Sequence, residues 1–282
     1  MTIGDHAQKL RIVSNSTPSV HHMAYVHPDA QIGTNVRIEP FATIQGDVVI
    51  GDNCRIGSNA VIMDGTRMGN NCQVYPGAVV GAAPQDLKYQ GEPTTLEIGH
   101  NVVIREFCTL NKGTAANQRT VIGDNCLLMA YVHVAHDCVV GKNVVLANNT
   151  TLAGHIEVED YARLGGLVAV QQFVRIGTHS FIGGGSMVRK DIPPFIKAAR
   201  NPVSYVGVNS IGLQRVGYSA EQIHTIQDTY RILYISKYNT TQALKAIRDQ
   251  VQPAAERDQI LTFVESSQHG VIRGFRHLNG QR

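Results

Sequence analysis

No tryptophan occurs in the 282 residues, and aromatic residues of any kind make up only 6%. A core assembled from large rings is excluded, so the interior must be aliphatic. Charge is sparse as well: 17% of residues are Asp, Glu, Lys or Arg, and their balance is +3. That excludes the high net charge of a disordered chain and gives no basic field of the kind nucleic acid attracts. No apolar run approaches the ~18 residues of a membrane span, so integral membrane association is not expected. The opening residues, MTIGDHAQKLRIVSNSTPSVHH, lack the apolar stretch of a secretory signal. A cytoplasmic location is the simplest expectation. Hydrophobic residues, at 43%, suffice for a sizeable core, and 27 glycines, about a tenth of the chain against a usual ~7%, promise many tight turns.

What the chain does have is a period. Every sixth residue is aliphatic or Met from Val26 through Ile32, Ile38 and Ile44 to Val80. The phase resumes at Ile98, Ile104 and Leu110, and then runs from Ile122 to Val188 without a break. Between Val26 and Val188 only Asp86, Glu92 and Ala116 depart from it. Four places after each aliphatic stands a second, usually small residue, such as Val36, Ala42, Val48, Cys54 or Ala60. A period of six fits neither an amphipathic helix nor a plain strand. It fits a hexapeptide β-helix, in which three hexads close a triangular coil and the eighteenth residue returns to the same place. Successive coils then stack as parallel strands ~4.8 Å apart. Cys54, Cys72, Cys108, Cys126 and Cys138 all occupy the small inward position, so they read as core residues, with no disulfide framework and no thiol nucleophile.

Beyond Lys190 the pattern changes. DIPPF interrupts the hexads, and residues 191–218 read as an irregular connection. Ser219 and Gln222 form a capping-box signature, followed by Ile223, Ile226, Tyr230 and Leu233 at helical spacing. A second helix is expected around Thr241–Val251, and a third from Pro253 with the proline in its first turn. The expected fold is therefore mostly β: a parallel β-helix over residues 24–190, then a small C-terminal α-helical domain over 219–282. Residues 1–23 are expected to be a flexible N-terminal extension.

A carboxylate in an aliphatic slot cannot point into a dry prism. Asp86 thus predicts that GAAPQDLKYQGEP leaves the coil as a loop, and NKGTAANQRT, around Ala116, should do the same. In the unbroken second run, eighteen residues on from His136 is Gly154, and eighteen further is Gln172. His155 lies beside Gly154, and His133 lies three residues before His136. These residues should share one patch around a position without a side chain. His27, His100 and His179 lack such company and read as ordinary solvent-exposed histidines without a role.

At these residues the chain resembles the UDP-N-acetylglucosamine acyltransferases of lipid A biosynthesis. The shared motifs are PQDLKYQGEPT (84–94), LLMAYVHVAHDC (127–138), LANNTTLAGH (146–155), QQF (171–173), DIPPF (191–195) and GVN (207–209). The resemblance implies a left-handed coil, which periodicity does not supply. It also implies a homotrimer with active sites between neighbouring prisms, and transfer of an (R)-3-hydroxyacyl group from acyl carrier protein to the glucosamine 3-hydroxyl of UDP-N-acetylglucosamine. The acyl group arrives on the carrier's phosphopantetheine, so neither a cofactor nor a metal is expected. His136 matches the general base, Asp137 the residue that orients it, and Gly154 the backbone oxyanion donor. Asp86, Lys88, His133, His155 and Gln172 match substrate contacts, and Asn209 and Arg215 match the nucleotide end. Gly184 falls near the position that limits acyl-chain length. The chain departs from the family pattern at Gln171, where many members have His, at Ile211, where many have an acidic residue, and at Val216, where many have a second Arg.

The chemistry suits the groups. A sugar hydroxyl is a poor nucleophile until a base takes its proton, and histidine's pKa near 6.5 fits that task. Other readings are a related N-acyltransferase acting on a 3-amino sugar nucleotide, and a zinc enzyme using His133, His136 and His155. A non-catalytic solenoid would instead show a repetitive exposed face, and the 18-residue columns show none.

Overall fold

The computed structural model describes residues 18–274. Within them the chain coils into three sheets of twelve, nine and eight strands, parallel but for one pair near the C-terminal end, each strand two to five residues long, that form the faces of a triangular prism. The coil is a left-handed β-helix. Register follows the period: Arg37–Ile38 pairs with Arg55–Ile56 on the first face, His133–Val134 with Thr151–Leu152 on the second, and Val139–Val140 with Glu157–Val158 on the third. From Ile38 onward the slot aliphatics and Met68 are buried in one continuous core, and all five cysteines are buried among them as free thiols. Each buried aliphatic contributes roughly 1.5–3 kcal/mol of transfer free energy, so the interior carries the fold.

The two breaks in the repeat are loops, at residues 83–94 and 112–118. Strand partners across them are 30 and 24 residues apart instead of 18 (Asn71 and Asn101, then Asn101 and Asn125, against Asn35 and Asn53). Each excess is a whole number of hexads, which is why the phase survives both. The corners turn on a residue with positive φ three places after the slot. Asn fills it at Asn53 (59°), Asn71 (59°), Asn125 (58°) and Asn143 (58°), a residue type that tolerates the left-handed region. Asn35, Asn71 and Asn101 pass amide hydrogen bonds to the next Asn in the column at 2.8–3.1 Å. At the corner between the second and third faces the same conformation falls to Asp137 (60°), His155 (61°) and Phe173 (66°).

Three expectations need correction. The coil begins earlier than residue 24: Ser19–Val20 already pairs with Arg37–Ile38, because Val20 keeps the six-residue phase. Residues 191–218 are not irregular. Ile196–Ala199 joins the first face beside Phe181–Ile182 and pairs antiparallel with Ser204–Val208, and helix α1 follows at Ser210–Arg215. The prolines of DIPPF break the hexad, yet Ile192, Phe195, Ile196 and Ala198 still fill the end of the prism. Helix α2, Ala220–Tyr234, has the expected Ser219–Gln222 capping box and buries Ile223, Ile226, Tyr230 and Leu233. Helix α3, Thr240–Gln250, has a capping box of its own from Asn239 and Gln242. Helix α4, Ala255–Ser266, starts after Ala254, so Pro253 precedes the helix and is not in its first turn. The chain returns at Arg273–Gly274 to pair with Ser204–Tyr205. The expectation of flexibility for residues 1–17 lies outside the described residues, as does the 275–282 end of the helical domain.

Candidate active site

The site sits on the corner between the second and third faces. His136 and Asp137 end the turn after strand His133–Val134, and Gly154 and His155 stand one coil above. His136 is 4% exposed and Asp137 2%. His136 Nδ1 lies 2.7 Å from Asp137 Oδ2, and the His155 ring stands edge-on to that of His136 at 5.0 Å between centroids. The Cε1–Nε2 edge of His136 covers Gly154, where a Cβ would come within 2.5 Å of Cε1 and 2.7 Å of Nε2. No side chain larger than hydrogen fits beneath that ring. The stacking of His136 over Gly154 expected from the 18-residue spacing is present.

Asp137 is held by its surroundings. The Thr114 N–H donates to Oδ1 at 2.9 Å, the Thr114 hydroxyl to Oδ2 at 2.6 Å, and the Asn117 N–H to Oδ1 at 3.3 Å. Its own N–H donates to Thr120 Oγ1 at 2.8 Å. Burial on its own would raise the carboxyl pKa, but the donors from Thr114 and His136 outweigh it and hold the group below the usual carboxylate range. An ionised carboxylate only accepts, so the shared proton is on His136 Nδ1, and in the neutral ring Nε2 keeps its lone pair. Among the described residues Nε2 has no hydrogen-bond partner, and neither has the N–H of Gly154.

Along much of another corner the equivalent N–H is satisfied. At the corner between the third and first faces, the equivalent N–H groups of Thr34, Asp52, Asn70, His100 and Lys142 donate to side chains one coil up, Asp52, Asn70, His100, Asp124 and Asp160, at 2.7–2.9 Å. Gly154 leaves the His136 N–H without such an acceptor, and Gln172, exposed, supplies none to Gly154.

The other expected residues are distributed unevenly. His133 projects from the second face, with Nδ1 2.7 Å from Thr109 Oγ1; burial holds its pKa below the usual value, and the charge of a protonated His136 adds to the effect. His155 stacks on Phe173 at 4.7 Å. Asp86 and Lys88 are on the 83–94 loop, where Asp86 Oδ1 accepts the Lys88 N–H at 2.9 Å. The loop tip presents Leu87 with full exposure. Gly184 lies on the corner at the opposite edge of the second face, against the Gly166 carbonyl. Asn209 donates through Nδ2 to the His179 carbonyl at 2.9 Å and leads into α1, whose end carries exposed Arg215; Ile211 and Val216 are exposed beside it. The chain thus gathers His136, Asp137, Gly154, His155 and His133, and leaves the Asp86, Lys88, Gly184, Asn209 and Arg215 positions at its margins.

Thr114, Asn117, Thr120 and Phe173 were not anticipated. The break at Ala116 marked their loop, and the 18-residue spacing of Asp137, His155 and Phe173 marked their corner. His100 accepts the Asn70 N–H and His179 stacks on Tyr161 at 4.6 Å, both structural uses. Ligand atoms of His136, Asp137 and His155 lie within 4.8 Å of one another. Asp137 Oδ2, however, already accepts from both His136 and Thr114, so the cluster is arranged to hold a proton. His133, the third member of the zinc reading, is not part of it.

A prism of hexad coils with a helical cap is the architecture of hexapeptide-repeat transferases, and the family described as "Bacterial transferase hexapeptide (six repeats)" matches residues 47–82 and 119–154. The description "Udp N-acetylglucosamine O-acyltransferase; Domain 2" matches residues 191–272. An acyl-[acyl-carrier-protein]–UDP-N-acetylglucosamine O-acyltransferase of Thiobacillus denitrificans is 47% identical over 256 residues, covering 90% of this chain and 99% of that one. One from Herminiimonas arsenicoxydans is 45% identical over 259 residues with the same coverage. The solved UDP-N-acetylglucosamine acyltransferase of Bacteroides fragilis superposes with a TM-score of 0.89 at 48% identity, over 90% of this chain and 100% of that one. The chain belongs to the UDP-N-acetylglucosamine O-acyltransferase family.

Proposed function

We propose that this protein transfers an (R)-3-hydroxyacyl group from acyl carrier protein to the 3-hydroxyl of UDP-N-acetylglucosamine, the first step of lipid A biosynthesis. The observation that carries the mechanism is the pairing of an unpartnered His136 Nε2 with an unpartnered Gly154 N–H on adjacent coils. His136 Nε2 takes the proton of the sugar hydroxyl as its oxygen attacks the thioester carbon, and Asp137 stabilises the imidazolium that results. The Gly154 N–H donates to the oxyanion of the tetrahedral intermediate. Collapse expels the carrier's thiolate, which takes the proton back from His136. Asp86, Lys88, His133, His155, Gln172, Asn209 and Arg215 contact substrate, and Gly184 bounds the acyl chain. The acyl group arrives already activated, so in this reading the protein needs neither a cofactor nor a metal.

The same reading requires a homotrimer. Leu87 stands free at the tip of a substrate loop, and exposed Phe107 and Tyr131 stack at 5.3 Å on one corner that also carries exposed Phe41 and Leu167, all suited to burial against a second copy. A cytoplasmic location goes with it: the five free thiols suit a reducing compartment, and no helix among the described residues is long and apolar enough to cross a membrane.

Mass spectrometry of UDP-N-acetylglucosamine incubated with a ladder of 3-hydroxyacyl carrier proteins tests the activity. A single hydroxylamine-labile acyl adduct is expected. An adduct formed only on a 3-amino sugar nucleotide, and resistant to hydroxylamine, would establish the N-acyl reading instead. Light scattering that found an active monomer would overturn the trimer.

A further inference from the structure

The 112–118 loop leaves the coil and returns to it with one side chain aimed inward at the catalytic corner. Thr114 is buried, and its hydroxyl donates to Asp137 Oδ2 at 2.6 Å, the same oxygen that accepts His136 Nδ1 at 2.7 Å. The Thr114 hydroxyl accepts the Ala116 N–H at 3.2 Å, which turns its lone pair away and points its hydrogen at the carboxylate. The Thr114 N–H takes Oδ1, so one residue grips both carboxylate oxygens. This grip fixes the plane of the carboxylate, and the carboxylate fixes the ring.

The loop itself is braced from outside the corner. Glu92 Oε1 accepts the Ala115 N–H at 3.0 Å, and the Thr94 hydroxyl donates to the Gly113 carbonyl at 2.6 Å. Both braces belong to the end of the excursion that carries Asp86 and Lys88. A surface insertion kept only for tolerance would have no reason to bury a hydroxyl on a charged group 23 residues away.

We propose that Thr114 is a positioning residue for the reaction: acting through Asp137, it holds the His136 ring with Nδ1 protonated and Nε2 directed over Gly154. The proposal rests on the reading of His136 as general base. Thr114 bonds to Asp137 and not to His136, so its effect belongs in the chemical step and should pass entirely through the carboxylate.

The test is a double-mutant cycle. Thr114→Val, nearly isosteric, should lower kcat about tenfold while the KM for both substrates stays within about twofold, because ground-state binding is untouched. Thr114→Ser should restore most of the loss, since it supplies the same hydroxyl. In an Asp137→Ala background Thr114→Val should change kcat by less than about twofold, because the intermediary is gone. A loss of equal size in both backgrounds, or wild-type kcat in Thr114→Val, overturns the proposal. Should Thr114→Val fold poorly, the Nδ1 proton of His136 in ¹⁵N-labelled wild-type, Thr114→Ser and Thr114→Ala proteins gives a second reading. A short bond to a fixed carboxylate places it downfield in the two that keep a hydroxyl, and the same downfield signal in Thr114→Ala overturns the proposal. That signal exists whether or not His136 is the base, so a normal rate in His136→Ala would sink the base assignment and leave the Thr114 geometry to be judged separately.

Discussion

Two corners of the same prism are built on one plan and put to opposite uses. Between the third and first faces, His100 stands two places after its slot and accepts the N–H of Asn70 from the coil before, at 2.9 Å. Between the second and third faces, His136 stands at the same place in its hexad, and its Nδ1 is turned instead to Asp137. The residue one coil above is Asp124 in the first case and Gly154 in the second. Asp124 closes the ladder by accepting the His100 N–H, whereas Gly154 opens it, and the ring of His136 settles over the gap. The corner proposed to do chemistry therefore differs from the closed one by a missing acceptor side chain and one buried carboxylate. The solenoid supplies the positions, and the omission of an acceptor leaves donors for a substrate to use.

The comparison breaks most sharply at His136. If the open corner does chemistry, His136→Ala should lower kcat by at least ~10²-fold, the lower end of what a general base contributes, with UDP-N-acetylglucosamine affinity nearly unchanged. Retention of more than about a tenth of the wild-type rate would remove the base role and make His133 the candidate. His100→Ala, at the equivalent place on the closed corner, should leave kcat alone. Next in size is Gly154→Ala. The new Cβ would fall 2.5 Å from His136 Cε1, and Asp137 holds that ring, so ring or backbone must move. A drop in kcat of roughly ten- to a hundredfold is expected, with thermal denaturation showing a folded protein; a wild-type rate would mean that the ring is not pinned.

The closed corner should respond in stability alone. Asn70→Ala removes the acceptor for the Asp52 N–H, 2.9 Å away, at a partly exposed site. A loss of about 0.5–1 kcal/mol is expected, read as a shift in urea midpoint with kcat unchanged. A change in kcat would show that the two corners are mechanically joined, contrary to the local account given for each. Cys126→Ala, in the prism interior, should also lower stability and spare activity, since burial pushes that thiol up to about 11 and leaves it unreactive at neutral pH.

How much of this was legible in the sequence depends on whether a feature repeats. The slots, the inward cysteines and the stacking of His136 on Gly154 follow from counting in sixes and eighteens, and the two loops follow from Asp86 and Ala116 in places that should be aliphatic. Handedness does not follow from counting, because either hand of coil gives the same period. The early start at Ser19 was missed although Val20 keeps the phase, and the strand Ile196–Ala199 was missed because two prolines hide a continuing apolar face. The grip of Thr114 on Asp137 was beyond sequence for a different reason. It joins a residue of the repeat to one outside it, 23 positions away, and no period relates them. Asp86, Lys88 and Gly184 needed the resemblance, since no period relates them to the histidines.

The smallest expected effect concerns two histidines that differ in use and share an environment. His133 lies on the face beside the catalytic corner, and His179 continues the closed corner's column, stacked on Tyr161 and meeting Tyr218 edge-on. Burial lowers the pKa of each below the ordinary 6.5. The unfolded chain therefore takes up protons at these sites before the folded one does. Their full contribution to stability is present above pH 6.5 and declines as pH falls through the depressed folded values. Urea midpoints should accordingly drop between pH 6.5 and 5 in the wild type. His179→Phe keeps an aromatic ring against Tyr161 and removes the proton, so it should flatten that slope while leaving kcat at neutral pH unchanged. His133→Gln should flatten it too, but with a loss of activity, because the same ring is read as a substrate contact. An unaltered slope in His179→Phe would mean that its ring is protonated in the fold as readily as in the unfolded chain. Equal kinetic losses in the two variants would end the distinction between a structural histidine and one kept for the reaction.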